Sequence, residues 1–177
     1  MSEIKLYIAT SLDGYIARED GSIDWLDAVP NPDQIDHGYA EFYETIDTVI
    51  LGRKTYEVIL GFGVDWPYPD CKTYIVTSDS DYQVKTENTE VLNEVSREQV
   101  DLIKRHSQKN IWIVGGGKVI TAFLNLGQVD EMILSVIPTI LGKGIRLFPD
   151  SPRETSFELI NVQAFETGAV NLTYRKK

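Results

Sequence analysis

The run Ile111-Trp112-Ile113-Val114-Gly115-Gly116-Gly117-Lys118-Val119-Ile120 decides the fold class. Its short apolar opening reads as a strand buried on both faces, as in a parallel sheet covered by helices. The strand breaks at three glycines, and a helix follows over Lys118–Leu126. Consecutive glycines let the backbone turn sharply and let a ligand approach the main chain. The free N–H groups of the following helix then face whatever lies above the strand end, a position that suits a phosphate. Position 120 is Ile, so the run departs from the G-x-G-x-x-G dinucleotide fingerprint. The competing reading is a tight turn without a ligand, although three glycines exceed what a turn needs.

Outward from this run, similar apolar segments recur. Strands are expected at Ile4–Ala9, Thr48–Leu51, Thr73–Thr77, Glu90–Leu92, Glu131–Ile137, Phe157–Val162 and Ala169–Arg175. Helices are expected at Asp36–Thr45, Thr55–Leu60 and Ser96–His106, the last opening on a capping-box Ser-x-x-Gln. Strand and helix alternate through the first two-thirds of the chain, and the end is all strand, with a hairpin at Glu166-Thr167-Gly168. The pattern predicts a three-layer α/β/α sandwich on a mixed, mostly parallel sheet of about eight strands. No repeat, linker or composition break divides residues 1–177, so one domain is expected.

A second strand-to-helix break carries charge. In Val49-Ile50-Leu51-Gly52-Arg53-Lys54-Thr55-Tyr56, the first helical turn holds two cations. Cations at a helix N-terminus oppose the dipole, a placement that makes sense if they meet an anion. Arg53 offers a fork to phosphate oxygens and Thr55 a hydroxyl; a solvated basic turn is the alternative. Thr77-Ser78-Asp79 puts hydroxyls at another strand end, where α/β sheets bind ligands, and is also ordinary turn chemistry. After the first strand, Tyr15-Ile16-Ala17 reads as an apolar loop covering something, or simply packed on the core. Asp36 reads as an N-cap.

Bulk composition narrows the function classes. The 177 residues have a formal net charge of -10, which argues against general affinity for nucleic acid or anionic membrane. With one cysteine (Cys71) and two histidines (His37, His106), neither a disulfide nor a metal site is expected. The N-terminus lacks signal-peptide character, and no run approaches the roughly 18 apolar residues of a membrane span. The expectation is a cytoplasmic protein acting on a small molecule.

Taken together, these motifs resemble the dihydrofolate-reductase-like superfamily, and more closely the reductase domain of the riboflavin-biosynthesis deaminase–reductase and its stand-alone relatives. The likeness covers essentially the whole chain. It rests on Ser11-Leu12-Asp13-Gly14-Tyr15-Ile16-Ala17, on Leu51-Gly52-Arg53-Lys54-Thr55-Tyr56-Glu57, on Val114-Gly115-Gly116-Gly117, and on Val129-Asp130-Glu131 through Pro138 with Leu141-Gly142-Lys143-Gly144. The resemblance implies NADPH as cofactor. Gly52, Arg53, Lys54 and Thr55 would hold its pyrophosphate and 2′-phosphate, and Thr77 and Ser78 would flank the adenosine. Gly115, Gly116 and Gly117, with Val119 and Ile120, would meet the pyrophosphate and nicotinamide ribose, across a cis Gly115–Gly116 bond. Ala9, Ile16 and Ala17 would line the nicotinamide pocket, and Trp25 would lie on a loop closing over the substrate. The resemblance also implies a homodimer.

The substrate is less defined. Asp36 falls where folate reductases carry a pterin-binding carboxylate, though Asp36-His37-Gly38-Tyr39 does not look like a folate-binding helix. Were it catalytic, burial would raise its pKa and help it feed a proton through water. Lys143 and Arg146 are candidates for a substrate phosphate, or belong to a charged hairpin. The leading expectation is an NADPH-dependent reductase of a small heterocyclic or imine substrate, such as 5-amino-6-(5-phosphoribosylamino)uracil. The alternatives are dihydrofolate reduction and a non-catalytic nucleotide-binding module.

Overall fold

In the computed structural model, which describes residues 2–177, the strand-to-helix breaks at Gly52 and Gly115 lie side by side in the middle of an eight-stranded sheet. The elements run β1 (Ile4–Ser11), β2 (Tyr15–Ala17), α1 (Tyr39–Glu44), β3 (Ile46–Gly52), α2 (Arg53–Leu60), β4 (Lys72–Val76), β5 (Thr89–Leu92) and α3 (Arg97–His106). They continue with β6 (Asn110–Gly115), α4 (Gly117–Asn125), β7 (Glu131–Ile137), β8 (Ile145–Arg146), β9 (Phe157–Ala164) and β10 (Val170–Lys176). The main sheet has the order β5-β4-β3-β6-β1-β7-β10-β9. The pairs from β5 to β7 are parallel, and β10 runs antiparallel to both of its neighbours. The sheet is therefore mixed and mostly parallel, as the run of short apolar segments predicts.

Register sorts the side chains onto two faces. Tyr7, Ala9, Trp112, Ile133, Ser135 and Asn171 share one face, because partners in register point the same way. Aromatic residues of α1 and α2 cover it, with Phe42 and Tyr56 packed on Val49, Leu51, Ile75 and Trp112. Ile4, Leu6, Ile50, Ile111 and Ile113 share the other face, beneath Val100 and Ile103 of α3 and Ile120 and Phe123 of α4. No helix among the described residues is long and apolar enough to cross a membrane.

Three local expectations are revised. The segment expected as an apolar loop at Tyr15–Ala17 is a strand, paired antiparallel with β8 in a small second sheet. The first helix starts at Tyr39 rather than Asp36, because His37 (φ 56°) and Gly38 (φ 85°) adopt left-handed backbone that a helix cannot include. The second starts at Arg53 rather than Thr55, directly off the strand. The capping box holds: Ser96 Oγ accepts from the Gln99 N–H at 3.3 Å.

Candidate functional site

The two glycine turns touch. Leu51 pairs with Gly115, and a Cβ on Gly52 would stand 3.7 Å from the Gly116 nitrogen. Thr55, one turn into α2, roofs the other break, its Oγ1 3.2 Å from where a Gly116 Cβ would be. The Gly115–Gly116 peptide is cis, as the resemblance implies. The three glycines differ in what they permit. Gly115 has φ +147°, a region side chains rarely adopt; Gly116 would meet only the Thr55 hydroxyl; Gly117 would drive a Cβ to 2.5 Å from the Arg146 carbonyl oxygen and 2.7 Å from Pro149.

Capping distinguishes these turns from the rest of the fold. A helix leaves its first N–H groups unpartnered unless side chains accept from them. Ser96 caps α3, and the Asp36 carboxylate accepts from Gly38 and Ala40 at 2.9 Å each ahead of α1. No side chain caps α2 or α4. The N–H groups of Arg53, Lys54 and Thr55 in α2 and of Gly117 and Lys118 in α4 find no acceptor among the described residues, so two adjacent positive helix ends open on one spot.

Arg53 and its surroundings extend this spot along the ends of β3 and β4. The guanidinium lies 3.5 Å from Asp79, 3.8 Å from Glu57 and 5.7 Å from the Tyr82 ring centroid. Lys54 is exposed and has no ion-pair partner among the described residues. Thr77 is buried, its hydroxyl accepting from Asp79 N–H at 3.2 Å, and Ser78 is exposed beside it. Val119 and Ile120 sit differently from expectation. Their side chains belong to the core, and both N–H groups already donate to the Gly116 carbonyl, so they hold the turn rather than offer it to a ligand.

A pocket of about 310 Å³ opens over the C-terminal halves of β1 and β7. Ala9, Ser135, Ile137 and Ala169 floor it. Leu26, Val29 and Asn31 form one wall, and Asp36, His37 and Tyr39 the other. The His37 carbonyl accepts from Tyr7 Oη at 2.9 Å and from Asn171 Nδ2 at 2.7 Å, which pins the left-handed residue against the sheet. Its ring nitrogen lies 2.8 Å from Thr167 Oγ1, tying the same wall to the β9–β10 hairpin. With Nδ2 committed, the buried Asn171 Oδ1 lacks a partner, and Ser135 Oγ makes no hydrogen bond among the described residues.

The Asp36 carboxylate reaches this pocket but is exposed rather than buried. The N–H groups of Ala40 and then Gly38 hold its carboxyl below the usual range, not above it. It is ionised near neutrality, an acceptor rather than a proton donor. Ala9 lines the pocket, while Ile16 packs on the core and Ala17 is buried. Trp25 is 2% exposed, packed with Ile137 and Ala169, and its indole N–H is unpartnered. Lys143 and Arg146 do not line the pocket. Lys143 pairs with Glu19 at 3.0 Å in solvent, and Arg146 on β8 lies over the Tyr15 ring.

Tyr7, His37 and Ser135 line the pocket and Asn171 holds its His37 wall, and no motif flags any of them. Asn171 had a readable signal: a lone amide at an alternating position of an apolar strand, where Asn is disfavoured.

The sequence matches the RibD C-terminal domain family over residues 3–171. It is 43% identical to the uncharacterized protein YwjB of Bacillus subtilis (strain 168) over 169 residues, 96% of this chain and 95% of that protein. The fold superposes with TM-score 0.89 and 30% identity on a crystal structure from Shewanella sp. PV-4 named for riboflavin biosynthesis, covering 99% of each chain. Dihydrofolate reductase from Enterococcus faecalis, complexed with NADP(H) and RAB-propyl, is similar at TM-score 0.71 and 21% identity over 99% of this chain and 96% of that one. At that identity the likeness speaks for the fold.

Proposed function

The chain belongs to the RibD C-terminal domain family, and on that footing we propose that it is an NADPH-dependent reductase of a small heterocyclic or imine substrate. The observation that carries this reading is the selective absence of caps. The two helices that start at abutting glycine turns keep the N–H groups of Arg53, Lys54 and Thr55 and of Gly117 and Lys118 free, while a side chain accepts from Ala40 in α1 and from Gln99 in α3. A pyrophosphate is the group that such paired helix ends suit. The residues fit the cofactor: Gly52, Gly115 and Gly116 allow close approach, Thr55 adds a hydroxyl, and Arg53 and Lys54 supply positive charge for a 2′-phosphate. When bound, the nicotinamide would supply hydride to an unsaturated carbon. The chain's own part is to hold that acceptor against Ala9 on a largely apolar pocket floor.

The Shewanella relative is named for riboflavin biosynthesis, the route in which the candidate substrate 5-amino-6-(5-phosphoribosylamino)uracil belongs. Dihydrofolate reduction is favoured by a different observation, the carboxylate of Asp36 at the pocket wall. Titration with NADPH and NADH tests the cofactor claim. A charge-assisted contact to phosphate is worth about 1.5–3 kcal/mol, or roughly ten- to a hundredfold in affinity. NADPH is therefore expected to bind at least tenfold more tightly, and Arg53→Ala to erase most of that margin while leaving NADH affinity unchanged. Equal affinity for the two cofactors would remove the claim. Stoichiometric NADPH binding without oxidation on any pterin or pyrimidine would reduce the protein to a nucleotide-binding module.

A further inference from the structure

Charge is unevenly distributed along this chain. Between Glu19 and Gly52 there are nine Asp and Glu residues and no Lys or Arg. This stretch builds both walls of the pocket, from Leu26 to Tyr39. The two cations that pair with this acidic stretch, Arg18 with Asp24 at 2.6 Å and Lys143 with Glu19 at 3.0 Å, do not line the pocket. Asp36 lines the pocket, Asp27 and Asp33 are exposed on the segment that supplies its walls, and none of the three has an ion pair among the described residues. The pocket lining itself includes Asp36 and no lysine or arginine. The cofactor spot is the opposite, with Arg53 and Lys54 over two positive helix ends. The fold thus places a basic cradle beside an acidic mouth.

Volume points the same way. About 310 Å³ lies at the small end of ligand sites, which run from roughly 300 to 1,000 Å³. That is room for one compact ring system. A phosphorylated sugar attached to it would have to leave through the mouth, beside the Asp36 carboxylate and a segment without a single cation. Like charges placed together oppose the wrong partner more effectively than weak contacts favour the right one.

We infer that this pocket selects a compact heterocyclic or imine substrate that is neutral or cationic and carries no phosphate. The inference rests on the reductase reading for taking this pocket as the substrate's, and it separates this chain from a reductase of phosphoribosyl compounds. Ser135 Oγ and the Asp36 carboxylate line the pocket as acceptors, suited to a ring bearing N–H groups.

Calorimetric titration of the full chain with two probes decides the matter: 5-amino-6-(ribosylamino)uracil and its 5′-phosphate. The unphosphorylated probe is expected to bind at least tenfold more tightly. The gap should narrow at high salt, because exposed charges are screened within about 10 Å at 0.1 M. It should also narrow threefold or more in the Asp27→Lys/Asp33→Lys double variant, with NADPH affinity unchanged. Equal or tighter binding of the phosphate, or no binding of either probe, overturns the inference. Should NADPH fail to bind, the reductase reading falls, while the two-probe comparison on cofactor-free protein still stands as the test of selectivity.

Discussion

Gly116 and Gly117 are adjacent and identical, yet they answer to different demands. A methyl group on Gly116 meets only the Thr55 hydroxyl at 3.2 Å, which a rotamer change relieves. On Gly117 it meets the Arg146 carbonyl and the Pro149 ring, which cannot yield without moving the 145–149 segment. Gly116→Ala is therefore expected to fold with a near-parental Tm and to lose NADPH binding. Gly117→Ala is expected to lose about 1–3 kcal/mol of stability, several degrees in Tm. Thermal melts paired with cofactor titration check both, and normal NADPH binding by Gly116→Ala would make the glycine run only a turn. In sequence the three glycines read as one motif, because nothing along the chain reveals that Arg146 comes to lie against the third. Asp36 was legible in the same partial way. The sequence marks it as a cap, and its carboxylate does accept from Ala40 and Gly38, but its exposure and its depressed pKa, the latter set by those two N–H groups, appear only in the fold. Asp36→Asn removes the charge and leaves one acceptor oxygen for two N–H groups that the carboxylate serves through separate oxygens, at a cost of about 1 kcal/mol. Substrate binding should then weaken about tenfold with only a small loss of Tm and with NADPH affinity held, and unchanged binding would leave Asp36 a cap alone.

At the scale of elements, the strands of the main sheet are readable because all but the short β5 are apolar or alternating runs long enough to show their character. β2 and β8, three and two residues long, are too short to show a period. The pocket was hidden for a related reason. Tyr7, Ser135 and Asn171 come from three strands far apart in sequence, and only the register of β1, β7 and β10 brings them onto one face. That register has its own lock. Glu131, first residue of β7, pairs with Lys5 of β1 at 2.9 Å and Arg175 of β10 at 2.7 Å, joining the parallel and antiparallel parts of the sheet. Burial alone would raise the Glu131 carboxyl, but the hydrogen bonds from Arg175 and Lys5 outweigh it and hold it below the usual range. A carboxylate whose folded pKa is depressed stabilises the fold above its unfolded pKa and stops doing so as pH falls through the folded value. Glu131→Gln is thus expected to cost about 2 kcal/mol at pH 7, with parent and variant converging below about pH 4. Denaturant melts across that range check it. A constant difference down to pH 3 would show that the charge is not what holds the three strands.

For the whole molecule, the question is what covers the end of the sheet. β9 is an edge strand, exposed at every residue after Phe157, and Leu159, Ile160 and Val162 are 49%, 47% and 54% exposed. Through the ladder with β10 and β7, Leu159 and Val162 share a face with Tyr174, Leu172, Leu134 and Val136. None of these six is charged, in a chain of net charge -10, so local repulsion does not oppose self-association there. The accessible surface is 9922 Å², whereas a compact monomer of 20.0 kDa exposes about 8,700 Å². The excess, roughly 1,200 Å², exceeds the roughly 800 Å² that each partner of a standard interface buries. A bare apolar edge is also an aggregation hazard unless something pairs with it. These observations favour a two-fold dimer packed through the β7–β10–β9 face, with the same patch on both copies. Light scattering on the purified chain should give twice the chain mass, undiminished at high salt because the contact is apolar. Leu159→Glu combined with Val162→Asp should give a folded monomer that still binds NADPH, since both positions are exposed in the single chain and remote from the glycine turns. A parent that runs as a monomer at micromolar concentration, or a double variant that stays dimeric, would place the contact elsewhere or remove it.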